Sequence, residues 1–199
     1  MAVLLGFRVM EMSGSLRIVF GMALGVAMLA AAPEAPAQTA GSPTAAAVQN
    51  VTRGPSGLPL PRFVSLKSGR VNSRVGPGVN YAVDWLYLKS GLPMEIIQEY
   101  DNWRRVRDAD GAEGWINQSL LSGRRTAIIA PWQKGKSVQI NLLKSPQAGA
   151  SPVALLEPGV IGSIESCDGD WCRIDVAGHS GWLEQTFVWG AYPGEQVKQ

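Results

Sequence analysis

Histidine is almost missing from this sequence: His179 is the single copy in 199 residues. Cysteine is nearly as scarce, with Cys167 and Cys172 the only two. These shortages exclude most metal centres, which draw on clusters of His and Cys at set spacings. They also leave thiol catalysis only a Cys–His pair to work with. Neither cysteine precedes a helix, where a thiolate would gain stabilisation, so that pair is a poor one. His179 reads instead as an exposed turn residue. The expectation is a chain with no catalytic residue, no metal and no cofactor. An excess of one charge sign is lacking too. Eighteen Lys and Arg face sixteen Asp and Glu, a net of +2. That is no electrostatic footprint for nucleic acid, and none is expected as a partner.

The charge is unevenly spread. From Arg62 to Arg125 there are ten Lys or Arg against seven Asp or Glu, and from Thr126 onward five against seven. Such asymmetry reflects either different partners for the two halves or simple drift.

Long hydrophobic runs are also lacking, with one exception. Ile18 to Ala32 follows Arg17 and meets no charge until Glu34. The run is too short and too rich in Ala and Gly for a transmembrane helix, which needs about 20 apolar residues. It suits the apolar core of a secretory signal, with Arg8 and Arg17 as its basic flank and Ala35-Pro36-Ala37 as the cleavage site. Residues 1–37 are therefore expected to be a signal peptide, with Met10 or Met12 a more usual start. A retained membrane anchor is the alternative. No cysteine ends the run, so a lipid anchor has no attachment point. The mature protein is expected to be periplasmic or secreted, touching membrane only through the uncleaved signal. In an oxidising compartment, Cys167 and Cys172, flanking a predicted turn, favour a local disulfide. Residues 38–61 are mostly Ala, Pro, Gly, Ser, Thr and Gln, with Arg53 as the one charge. Such a composition cannot bury enough apolar surface to order itself, and predicts a disordered tether.

Beyond Arg62 the chain reads as short strands and turns. Apolar or alternating runs stand at Phe63–Leu66, Arg70–Arg74, Ala82–Leu88, Met94–Tyr100, Trp103–Arg107 and Glu113–Asn117. They are separated by Gly76-Pro77-Gly78, Lys89–Pro93, Asp101-Asn102 and Asp110-Gly111, which are loop and hairpin signals. Gln118–Leu121 suggests one helical turn, and Arg124–Ile129 a last strand. The same phrases return. Asn141 stands 69 residues after Asn72, Gly159 68 after Gly91, Trp171 68 after Trp103, and Gly181-Trp182 67 after Gly114-Trp115. Four landmarks holding this offset argue for a duplication. The expected fold class is all-β: two tandem small barrels, residues 62–129 and 130–192, with 193–199 as a tail. A domain this small buries only about 60% of its unfolded surface and is marginal alone. The disulfide would staple the second copy. In the first, Arg104 occupies the position of Cys172, and no partner for it is evident.

Arg70-Val-Asn-Ser-Arg-Val-Gly-Pro-Gly78 with Tyr81, Gly91, Asn102-Trp103-Arg104 and Gly114-Trp115-Ile116 resembles the bacterial SH3-like domains of exported proteins. The likeness covers nearly all of Arg62 to Tyr192 and is closer in the first copy. The second reads Leu142-Leu-Lys-Ser-Pro146, without the Arg and the Gly-Pro-Gly. What the resemblance implies is an SH3-like β-barrel and a non-catalytic role, since related domains bind peptidoglycan or its peptides or target wall hydrolases. The partner implied is peptidoglycan or a peptide of an envelope protein; the alternative is a scaffold for an envelope complex, recognised through the domain interface or Trp189–Gln199.

Ligand grooves of such domains are lined by aromatic rings near loops. Tyr81 and Trp103 are the expected rim residues, with Arg74 and Arg104 available for carboxylates. Trp115, Trp182 and one of Trp85 or Tyr87 are expected in the core. Arg104–Arg107 with Arg124-Arg125 forms a basic patch that neighbouring Asp101, Asp108, Asp110 and Glu113 should partly neutralise.

Overall fold

The computed structural model describes residues 52–198. The expected signal peptide and residues 38–51 of the expected tether lie outside the described residues. Both sequence copies fall within one compact unit, Ala47–Gln199. In chain order the strands are β1 (Thr52–Arg53), β2 (Pro59–Leu60), β3 (Arg62–Leu66), β4 (Val71–Arg74), β5 (Val83–Tyr87), β6 (Pro93–Tyr100), β7 (Trp103–Arg107), β8 (Glu113–Asn117) and β9 (Leu121–Ser122). They continue with β10 (Thr126–Ile129), β11 (Ile140–Leu143), β12 (Pro152–Leu156), β13 (Ile161–Asp168), β14 (Trp171–Val176), β15 (His179–Glu184), β16 (Val188–Trp189) and β17 (Gln196–Lys198). Single 3-10 turns at Gln118–Leu120, Pro131–Gln133 and Gln185–Phe187 are the only helical pieces among the described residues.

Beside the two-stranded β1-β2, two large antiparallel sheets result, ordered β5-β4-β8-β7-β6-β3-β9 and β12-β11-β15-β14-β13-β10-β16, with β17 added to β13. They carry the same order of equivalent strands, as a duplication requires. Alternation along each strand puts one face inward. Val71, Met94, Ile96, Val106 and Ile116 fill the first core; Ile129, Leu142, Ile164, Ile174 and Leu183 fill the second. The hairpins form where the turn signals stand. Asp101 takes φ 47° between the paired Tyr100 and Trp103. Ala177 and Gly178, both at positive φ, join Val176 to His179 as a two-residue turn.

Register corrects several expectations. The strand at 126–129 does not close the first copy: β10 lies between β13 and β16 and opens the second. All four of its residues are buried, and Thr126 opposite Ser163 matches Phe63 opposite Glu95. The first copy therefore ends at β9, and the boundary moves from 129 to the 123–125 connection. The offset is thus 63 at the first strand but 69 at Asn72 and Asn141. Six residues around the Pro131–Gln133 turn have been added between those strands, among them the exposed Trp132. The tail is also structured, because β17 pairs with β13 and buries Val197 opposite Cys167.

The tether, too, ends earlier than composition implied. Residues 52–60 form a small hairpin, with Thr52 opposite Leu60. Its polar anchor is a buried carboxylate far along the chain: Ser56 donates to Glu99 through its backbone N–H at 2.9 Å and its hydroxyl at 2.8 Å.

The Gly-Trp phrases are turned the other way round from expectation. Gly114 and Gly181 face the core, and the following Trp115 and Trp182 point to the outer face, half-buried. A Cβ on Gly114 would lie 2.0 Å from the Ser73 hydroxyl oxygen, and one on Gly181 would lie 2.6 Å from Leu142. The glycine permits the close crossing of strands, and the pleat then sends the tryptophan outward. Similarly, Tyr87 is core, with its hydroxyl donating to Asp108 at 3.0 Å, while Trp85 on the edge strand is 59% exposed.

The two copies meet through aromatic packing. The Phe63 ring lies 5.1 Å edge-on from Trp189 and 4.7 Å from Tyr192. The Tyr192 hydroxyl donates to Glu95 at 3.0 Å, and Arg125 bridges Glu195 while lying 5.7 Å over Phe63. The C-terminal segment is therefore occupied within the molecule.

Candidate functional site

Strand pairing places the candidate residues at once. Along the outer face of the first sheet, Arg74 stands opposite Trp115, Trp115 opposite Arg105, and Trp103 opposite Asn117. Arg74 is half-buried and donates a guanidinium N–H to the Tyr81 carbonyl at 2.6 Å. Tyr81 closes back over the Gly76-Pro77-Gly78 loop, and a Cβ on Gly76 would come within 2.3 Å of its ring. The ring stays 49% exposed. Trp103 is half-buried on the same outer surface. Arg74 and Tyr81 are thus brought together, with Trp103 two positions along the neighbouring ladder.

Arg104 is the residue the structure removes from that set. It faces inward and is 7% exposed. Its guanidinium is spent on the Glu99 carboxylate at 3.3 Å, on the carbonyls of Asp101 and Trp103, and on the Gln118 side chain. The reason lies across the hairpin. Glu99 pairs with Arg104 in register as Cys167 pairs with Cys172. The first copy therefore has its staple after all: a buried ion pair where the second has a disulfide. Glu99 also accepts from Arg62 at 2.6 Å. Burial alone would raise its pKa. The N–H of Ser56, the guanidinium of Arg62 and the Ser56 hydroxyl outweigh that and hold it down at about 2.

The basic patch is likewise largely internal. Arg105 and Arg107 pair with Glu113 at 2.8 Å, and Arg107 also reaches Glu95. These hydrogen bonds and charges hold the Glu113 carboxyl below the usual range. Of the expected acidic neighbours, Asp108 instead caps its own turn, accepting from the N–H groups of Asp110 and Ala112.

In the second copy the corresponding surface opens into a cleft of about 300 Å³. Its walls include Asn141, Leu143, Ala150, Trp171, Glu184 and Phe187. By strand register Leu143 takes the place of Arg74 and Trp171 that of Trp103; Glu184 takes the place of Asn117 opposite that tryptophan. Ala150 stands 69 residues after Tyr81. Where Tyr81 covers its loop in the first copy, the small Ala150 leaves the groove open. Asp168 sets the approach to Trp171: its carboxylate accepts from the N–H groups of Trp171 at 2.8 Å and Asp170 at 3.0 Å, which holds its pKa low. Leu143, Ala150, Glu184 and Phe187 were not singled out from the sequence. The 67–69 residue offset, applied to Arg74, Tyr81, Asn117 and Leu120, carries enough signal to find them.

The sequence pattern of the bacterial SH3 domain family matches residues 67–123 and 136–190. The chain belongs to that family. Its two SH3 domains each place β3 or β10 ahead of the matched segment. No curated protein matches. Among solved structures, the chain is similar to NlpC2 from Trichomonas vaginalis at 14% identity, covering 65% of this chain and 48% of that one, TM-score 0.29. It is also similar to NlpC1 from the same organism at 14% identity, covering 64% and 45%, TM-score 0.28. The chain thus spans about half the length of those structures. SH3-type domains are non-catalytic modules. Cys167 and Cys172 are joined with Cα atoms 4.1 Å apart, so neither presents a thiolate. His179 is exposed at the start of β15. No group of three or more metal-type side chains gathers among the described residues, and none of their helices is long and apolar enough to cross a membrane.

Proposed function

We propose that this is an exported, non-catalytic binding protein of the cell envelope, whose SH3 domains hold peptidoglycan or a peptide segment in their outer-face grooves. The observation that carries this reading is the cleft of the second SH3 domain. Trp171 and Phe187 offer aromatic surface there, and Asn141, Gln139 and Glu184 offer polar groups, in an open groove of about 300 Å³. Such a lining suits a sugar ring or an extended peptide, which combine an apolar face with polar edges. Arg74, Tyr81 and Trp103 form the corresponding surface of the first domain. Export rests on the apolar run Ile18–Ala32 and on a cysteine pair engaged as a disulfide, a usage suited to an oxidising compartment. The periplasm or the extracellular side is its proposed location, and residues 38–51 its proposed tether.

Retention on purified sacculi tests the wall version. Wild-type protein should sediment with them; Trp103→Ala and Trp171→Ala should each reduce retention, and the double variant should abolish it. No retention of the wild type removes peptidoglycan as ligand. A second reading, a scaffold within an envelope complex, draws support from the edge strand β5, where Val83 and Trp85 are exposed. Crosslinking in cells separates the two, because a discrete protein adduct through β5 favours the scaffold.

A further inference from the structure

Three substitutions at equivalent positions invert the charge of the groove between the two SH3 domains. Around the first groove stand Arg70, Arg74 and Asn117. The residues in register with them around the second are Gln139, Leu143 and Glu184. The shared parts are kept: Asn72 becomes Asn141, Trp103 becomes Trp171, and Leu120 is matched by Phe187. Two cations have been lost and one anion gained on an otherwise preserved scaffold.

The anion is free to act. Glu184 is exposed, stands directly opposite Trp171, and makes no ion pair among the described residues. Its carboxylate accepts from the Thr186 hydroxyl at 3.4 Å. No Lys or Arg lines the cleft, while Arg173, on the same sheet, is already paired with Glu165 at 2.8 Å. Asp170, next to Trp171, and Lys144, beyond the end of β11, both lie outside the lining, so Glu184 is the charged group of the cleft wall. Aromatic faces beside a carboxylate are a favourable setting for an ammonium group, which gains both Coulomb attraction and attraction to the ring quadrupole. In the first groove the reverse holds. Arg74 spends one N–H on the Tyr81 carbonyl and keeps others for an acceptor, and Arg70, four residues earlier and just before the same strand, is exposed.

We propose that the two SH3 domains are specialised for opposite charges: the second groove takes an amine-bearing ligand against Glu184 and Trp171, and the first takes a carboxylate-bearing one against Arg74 and Arg70. This deepens the binding reading given above and rests on it for the location of the grooves. It also turns the uneven charge of the two halves from drift into function.

Small probes with blocked termini test it on the full chain: a lysine (charge +1), the same compound with its side chain acetylated (neutral), and a glutamate (charge −1). The readout is the indole N–H resonances of Trp171 and Trp103. The lysine probe should shift Trp171, its acetylated form should bind at least about threefold more weakly, and Glu184→Gln should lose about threefold to fivefold in affinity for the charged form alone. The glutamate probe should shift Trp103, and Arg74→Leu should abolish that preference. Equal binding of lysine and acetyl-lysine at Trp171, a glutamate response there, or no response at either indole overturns the proposal. Sacculus retention is scored separately. Retention with charge-blind grooves sinks this inference and leaves the wall reading standing; charge-selective grooves without retention do the opposite.

Discussion

Replacing Glu99 by glutamine should expose how much the first SH3 domain depends on one buried carboxylate. In the folded chain its side chain is almost wholly enclosed and lies between Arg62 and Arg104, with Ser56 donating twice. Its pKa of about 2 sits below the ordinary 4.5. A depressed carboxylate contributes stability that is complete above the unfolded-state value and lost as pH falls towards the folded-state one. Two and a half units correspond to about 3 kcal/mol, present at pH 7, declining below about pH 5 and largely gone near pH 2. That agrees with the cost of about 3 to 5 kcal/mol for stripping one partner from a buried ion pair. With a urea dependence of about 2 kcal/mol per molar, the unfolding midpoint of Glu99→Gln should fall by about 1.5 M at pH 7. Urea unfolding followed by tryptophan fluorescence at several pH values between 7 and 2.5 measures this. The gap between wild type and variant should close as the pH falls. Parallel curves, separated equally at pH 7 and pH 3, would refute the reasoning, because the variant's cost would then not come from the carboxylate's charge.

Other consequences are simpler to check. Native protein should show no titratable thiol, and Cys167→Ala with Cys172→Ala should cost about 2 kcal/mol in chemical unfolding, the amount expected for closing so short a loop. Phe63→Ala removes the ring that Trp189 and Tyr192 pack against; it should cost about 3 kcal/mol and split thermal unfolding by calorimetry into two transitions, one for each domain.

Much of this architecture is local, and the sequence carries it. The turns are written in Gly76-Pro77-Gly78, Asp101-Asn102 and Asp110-Gly111, where backbone conformation depends on the residues themselves. The duplication is equally legible, because Asn72, Gly91, Trp103 and Gly114-Trp115 each have a counterpart at a near-constant spacing. So are the all-β class and the cysteine pairing, since both cysteines flank one hairpin turn.

Tertiary structure decided what pairing at a distance decides. Strand β10 reads as the end of one copy and is the beginning of the next, because four buried residues go where a sheet has a vacancy for them, whatever their place along the chain. The direction of Trp115 depended on whether glycine or tryptophan met the crossing strand, a question of register that alternation alone leaves two-fold open. Arg104 has the composition of a ligand-binding residue, and only the carboxylate of Glu99 across the hairpin makes it a structural one. The hairpin at 52–60 is ordered by that same carboxylate, more than forty positions away from Ser56. Local chemistry determined the strands and turns of this protein; which face each side chain occupies, and therefore which are free to bind, was settled by packing between segments that are far apart in the chain.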